Sequence, residues 1–172
     1  MGRAQTLTEI VKAESWTRGA ELGVWKGATT KHLLKHVPEL VMIGVDRWKP
    51  MPGTMQNRET GEAPYTIGDM QVARNDARGV WLRFKQRLFI MEMDTVAAAQ
   101  HIKPASLDFV FVDADHATEA VVADVTAWLP KIRRGGAMLG HDLNWPSVQR
   151  ALQRLDLAWD ELPDNIWHSM VP

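Results

Sequence analysis

The run Leu107–Val112, LDFVFV, constrains the chain more than any other stretch. Apolar residues occupy both of its alternating sets, so it carries no polar face and suits a parallel strand covered on both sides. Shorter apolar runs at residues 20–22, 41–45, 87–91 and 136–140 share the habit. Between these runs, residues 29–36, 69–84, 95–101 and 118–131 space their apolar side chains as helices do. Strands alternating with helices predict an α/β fold with a doubly wound, mostly parallel sheet. After residues 145–155 the pattern changes: LAWDEL, the turn-like PDN and IWHSM predict a β-hairpin. The one long irregular stretch is 47–65, rich in Pro, Gly and Met. Loops of that length in compact domains are usually functional or mobile.

A chain of 172 residues is the size of one domain, here residues 1–172 taken as a single unit. Its formal net charge is −1, with the two signs interspersed, which favours neither a nucleic-acid groove nor a membrane surface and leaves a small molecule as the expected partner. The sequence contains no cysteine, so disulfides, thiolate nucleophiles and Cys-ligated zinc are excluded, and any metal is held by oxygen or imidazole. No apolar signal core opens the chain and no apolar run nears the roughly 20 residues of a membrane span, so a soluble, cytoplasmic protein is the default expectation.

In open α/β sheets ligands bind outside the carboxyl ends of the strands. Glu21, Gly23 and Gly27 fall at the end of the first strand and in the turn after it, where glycine lets backbone approach a ligand. Asp46 ends the second strand, placed to accept hydrogen bonds from both hydroxyls of a ribose. The glycine spacing is G-x-x-x-G and not the G-x-G-x-x-G of a dinucleotide site, and no phosphate-binding G-x-x-x-x-G-K-[ST] is present. An ionised Glu21 repels phosphate and attracts an ammonium or sulfonium group. A nucleoside with positive charge and no phosphate is S-adenosylmethionine (SAM). Trp48, beside Asp46, is a candidate to stack on adenine.

ELGVWKGATT followed by GVDRW resembles the first two motifs of class I SAM-dependent methyltransferases. LDFVFVDADHATEAVVADVTAWLPKIRRGGAMLGHDL is similar to a bacterial small-molecule branch, methyltransferase family 24-like, with DADH after the fourth strand and GHD after the fifth. The resemblance spans residues 19–143. It implies a Rossmann-like sheet of seven strands in the order 3-2-1-4-5-7-6 with an antiparallel C-terminal strand. It also implies a place for Asp94 near the adenine amino group, although Asp-Thr is equally an ordinary helix N-cap pair. Few residues precede the first strand, so the helices that usually cover the substrate are largely missing, and 47–65 is the internal segment long enough to replace them.

Asp113, Asp115 and His116 close the fourth strand and His141 and Asp142 the fifth, so these groups should meet at one rim of the sheet. Crowded carboxylates raise one another's pKa unless a cation is present. In the metal-dependent small-molecule O-methyltransferases that this segment resembles, an acid after strand four and two residues after strand five bind magnesium, which maps to Asp113, His141 and Asp142. The imidazole at His141 departs from that pattern and suits manganese, iron or zinc better. Without a metal, Asp113 is expected at SAM's amino group or capping the next turn, and His141 as a packed neutral group. The expected activity is methyl transfer to a small-molecule hydroxyl, with Asp113, His116 and His141 at the reacting end and a metal or a histidine base removing the acceptor's proton. The alternatives are a metal-dependent hydroxylase-like enzyme resembling cephalosporin hydroxylases, a SAM-binding protein without catalysis, and, last, a nicotinamide dehydrogenase. Association of two copies through the apolar loop around Met51 and Met55 is left open.

Overall fold

The computed structural model describes residues 2–50 and 65–172. Seven strands form one sheet in the order β3-β2-β1-β4-β5-β7-β6. They are β1 (Arg18–Leu22), β2 (Val41–Asp46), β3 (Leu88–Glu92), β4 (Leu107–Val112), β5 (Ile132–Gly140), β6 (Asp160–Leu162) and β7 (Ile166–Met170). The first five run parallel, and β7 pairs antiparallel with both β5 and β6. The described helices are α1 (Arg3–Ala13), α2 (Ala28–His36), α3 (Ile67–Phe84), α4 (Thr95–Ala99), α5 (Thr118–Trp128) and α6 (Pro146–Leu155), with a 3-10 turn at Leu129–Lys131. None of them is long and apolar enough to cross a membrane.

Each strand sorts its side chains between two cores because alternate residues point to opposite faces. Val110 and Val112 join Ala99, Val121, Val125, Val148 and Leu152 on the face covered by α4, α5 and α6. Phe109 and Phe111 join Leu7, Val11, Leu33, Leu34 and Val80 beneath α1, α2 and α3. Every residue of β4 is buried, as its apolar run predicts. Asp108 is the polar exception within that run. It sits at the sheet edge away from the strands' carboxyl ends, where Oδ2 accepts the N–H groups of Thr17 and Arg18 at 2.7 and 2.8 Å and Oδ1 accepts Arg133 Nε–H at 2.6 Å. The β4–β5 register shifts at this point, between Leu107 and Phe109.

Most boundaries lie within two residues of the sequence expectation, and two departures matter. β5 starts at Ile132, four residues before the expected 136, because Ile132 pairs with Leu107 ahead of the register shift. α1 has no counterpart in the expectation. Its Leu7 and Val11, four apart, bury one stripe against α2, and Thr6 Oγ1 donates to Asp164 Oδ2 at 2.6 Å in the β6–β7 turn. In the segment 47–65, residues 51–64, with Met51 and Met55, lie outside the described residues.

Candidate active site

The carboxyl ends of the parallel strands open on a cavity of about 520 Å³. The strand order divides it. Asp46 and Asp94 follow β2 and β3 on one side of β1, whereas Asp113, Asp115, His116, His141 and Asp142 follow β4 and β5 on the other, and all of them line it together with Gly23.

Gly23 has φ +86°, and a Cβ there would lie 2.1 Å from the carbonyl oxygen of Asp113. Its glycine character is therefore demanded first by the protein's own close packing between the ends of β1 and β4. Gly27, φ +76°, is the N-cap of α2 and does not line the cavity; a Cβ there would meet Val80 Cγ2 at 3.2 Å. Asp46 is well placed at the rim. Its Oδ2 accepts Trp25 N–H at 2.8 Å and its Oδ1 accepts Trp48 N–H at 2.7 Å, and the carboxylate lines the cavity. Burial pushes its pKa up against those same hydrogen bonds. Asp94 caps α4, Oδ1 accepting Ala97 N–H at 3.1 Å, and lines the cavity as well, so its capping and ligand-facing roles coexist.

Two expected contacts are relocated. Glu21 is 2 % exposed and lies beneath the cavity, with Thr30 Oγ1 donating to its Oε2. Burial, only partly offset by that hydrogen bond and reinforced by Asp113, pushes its pKa up to about 8, so it is neutral at pH 7 and lacks the charge expected to attract a cation. Trp48 is packed among Val24, Ala73 and Ala77 with Nε1–H donated to the Trp25 carbonyl at 2.8 Å, which turns it away from the cavity. Trp25 and Tyr65 present aromatic surface there instead, their ring centroids 4.4 Å apart.

On the β4–β5 side the expected groups do converge. One ligand atom from each of Asp113, His141 and Asp142 lies within 4.8 Å of the others. His141 Nδ1 is 3.0 Å from Asp142 Oδ1 and 3.7 Å from Asp113 Oδ1, and His116 Nε2 is 2.6 Å from Asp142 Oδ2. Burial opposes charge on His116, but hydrogen bonds to Asp113 and Asp142 and the charges of both outweigh it and push the pKa up to about 9. Burial likewise opposes charge on Asp142, and its hydrogen bonds with His116 and His141 hold it well below the usual carboxylate range. Trp145 flanks His116 with ring centroids 4.6 Å apart.

Residues 20–143 match the methyltransferase-domain family. The chain belongs to that family. No curated protein matches it in sequence. Among solved structures, a Staphylococcus aureus protein provisionally assigned as a caffeoyl-CoA O-methyltransferase superposes with a TM-score of 0.70 at 10 % identity, covering 98 % of this chain and 82 % of the other. A Podospora anserina methyltransferase bound to S-adenosylhomocysteine (SAH) gives 0.68 at 11 % identity over 99 % and 78 %. A Bacillus cereus O-methyltransferase in complex with SAH gives 0.61 at 16 % identity over 98 % and 80 %. The fold of this methyltransferase domain is thus that of the class I SAM-dependent enzymes, strand order included.

The methyltransferase domain also brings to its cavity residues that the sequence did not single out. Arg3 reaches in from the first turn of α1, with Nη1 3.0 Å from Asp113 Oδ2 and 3.4 Å from His141 Nδ1. Asp124, on α5, is 2 % exposed and accepts a hydrogen bond from Thr95 Oγ1. Burial, against the Thr95 bond and with help from Asp94 and Asp115, pushes its pKa up to about 7. The apolar spacing of Leu7 and Val11 is the one faint signal of the helix that carries Arg3, and nothing local marks Asp124, which sits in a largely apolar helix.

Proposed function

We propose that this domain transfers a methyl group from SAM to an oxygen of a small-molecule acceptor. The observation that carries the reading is the continuity of one cavity from the Asp46–Asp94 side, suited to an adenosine, to the acid–histidine cluster beyond β4. At about 520 Å³ the volume is within the usual range for small-ligand sites. The residues fit the cofactor: Gly23 brings backbone to the cavity wall, Asp46 offers its carboxylate at the rim to ribose hydroxyls, and Asp94 offers a carboxylate to an exocyclic amine. SAM, when bound, supplies a methyl group on a sulfonium that leaves as a neutral thioether.

What the chain itself adds is positioning and proton removal. A hydroxyl acceptor forms its new O–CH3 bond with an oxygen lone pair while its proton passes to a base. His116 is ion-paired and charged at neutral pH, which disqualifies it as that base. His141 is held by Asp142, whose Oδ1 lies 3.0 Å from Nδ1, and the role of base passes to this second histidine of the cluster. The divalent metal implied by the motif resemblance finds the right donor types at Asp113, His141 and Asp142, but Arg3 Nη1 stands at two of the three and His116 at the other. The set does not fit a metal alongside these residues, and no step is assigned to one.

Calorimetric titration with SAM, SAH and NAD tests the cofactor, and transfer of labelled methyl to a panel of phenols, enols and carboxylic acids tests the acceptor class. Heat with NAD and none with SAM or SAH would overturn the reading. Tight SAM binding with no transfer to any acceptor would leave a cofactor-binding protein.

A further inference from the structure

We propose that Arg3 is the resident counter-cation of the Asp113–His141–Asp142 cluster, standing where the motif resemblance implies a divalent metal. Three carboxylates, Asp113, Asp115 and Asp142, and two imidazoles crowd this rim, and Asp113 is nearly buried, its side chain 8 % exposed. Carboxylates so placed need a cation close by. Arg3 provides it at 3.0 Å from Asp113 Oδ2, and the same Nη1 lies 3.4 Å from His141 Nδ1. A divalent ion bonded to that oxygen and that nitrogen sits about 2.1 Å from each. The guanidinium and such an ion compete for the same oxygen and nitrogen lone pairs, so arginine and metal are alternative occupants of the cluster.

The placement of Arg3 is built into the fold. It opens α1, whose Leu7 and Val11 are buried in the core and whose Thr6 is tied to Asp164 at 2.6 Å. An arginine also differs from a metal in what it does. It cannot lose its proton, and its planar fork pairs with carboxylates and oxyanions without requiring deprotonated ligands. The acceptor favoured at such a site has an oxygen that reacts as an anion, a phenol, an enol or a carboxylate, held beside the guanidinium while His141 takes up any proton. The proposal rests on the methyltransferase reading only for that last role, since the exclusion of metal by Arg3 is a property of the unliganded protein.

Titration of the protein with Mn2+, followed by the loss of the free ion's electron-paramagnetic signal and with neither SAM nor acceptor present, separates the two questions. Arg3→Met keeps the bulk and removes the charge; Arg3→Lys keeps the charge. Arg3→Met should bind Mn2+ at least about tenfold more tightly than the wild type, because the cation at Asp113 and His141 is gone and only His116, at Asp142, still competes. Adding Asp113→Asn should abolish that gain, and Arg3→Lys should resemble the wild type. Circular dichroism checks that each variant is folded; the Arg3 side chain is 39 % exposed, and its helix is anchored by Leu7, Val11 and Thr6. Equal Mn2+ affinity in wild type and Arg3→Met overturns the proposal, as does tight Mn2+ binding by the wild type. SAM calorimetry on the same samples reports on the cofactor independently, so a failed Arg3 prediction with intact SAM binding leaves the methyltransferase reading standing.

Discussion

Asp46 carries two loads with one carboxylate. It holds the N–H groups of Trp25 and Trp48, and it lines the cavity. Asp46→Ala should therefore weaken SAM binding by about 1.5–3 kcal/mol, the range for hydrogen bonds to a charged group, and should also lower the melting temperature. Calorimetry and a thermal melt measure the two effects separately; unchanged affinity would remove Asp46 from the cofactor site. The contrast with Glu21 is instructive. Residue type and strand position were legible at both, since Glu21 lies within the short run 20–22 and Asp46 follows the run 41–45. The ionisation state was not, because it depends on how deeply the side chain is packed, and Glu21 turned inward to Thr30 where Asp46 turned to the rim. Trp48 was misplaced for the same reason: adjacency to Asp46 says nothing about which side of the turn a ring occupies, and helix α3 offered it Ala73 and Ala77.

At the scale of elements, the strand–helix alternation and the C-terminal hairpin were readable because burial on both faces leaves an unmistakable apolar pattern in β4 and its neighbours. α1 was not. It buries Leu7 and Val11 amid threonines and charged residues, a pattern too short and too polar to stand out. The loop from β1 into α2 is where local sequence and tertiary packing meet most tightly. Gly23→Ala must fit a Cβ 2.1 Å from the Asp113 carbonyl oxygen at φ +86°. The cost should be about 2–5 kcal/mol, combining a left-handed backbone with overpacking, read as a lower urea midpoint. The same displacement shifts Asp113, so SAM affinity should fall with stability. A Gly23→Ala protein as stable as the wild type would mean that the two loops are not in contact.

Across the whole molecule, two buried acids make stability depend on pH in an unusual sense. Glu21 is raised from 4.5 to about 8 and Asp124 from 3.8 to about 7, each chiefly by burial. A group whose folded pKa is raised contributes stability that is complete below its unfolded pKa and is lost as pH climbs through the folded value. The native state should thus weaken from about pH 4, where the unfolded carboxyls ionise, to about pH 8, the Asp124 share being lost by about pH 7 and the Glu21 share by about pH 8. The double variant Glu21→Gln, Asp124→Asn has no such protons to lose, and its urea midpoint should gain on that of the wild type over this window. Parallel curves would show that the two carboxyls are solvated.

The hydrogen bond between Thr6 and Asp164 joins the helix that carries Arg3 to the turn between β6 and β7, whose Asp164 and Asn165 both have positive φ. Neither partner lines the cavity. Asp164→Ala should loosen α1 and let Mn2+ in, part of the way toward the behaviour of Arg3→Met, with little change in SAM affinity. For anyone breeding a new acceptor range into this scaffold, a mutant library drawn only from the cavity wall would leave untouched the hairpin turn that aims one of its charges.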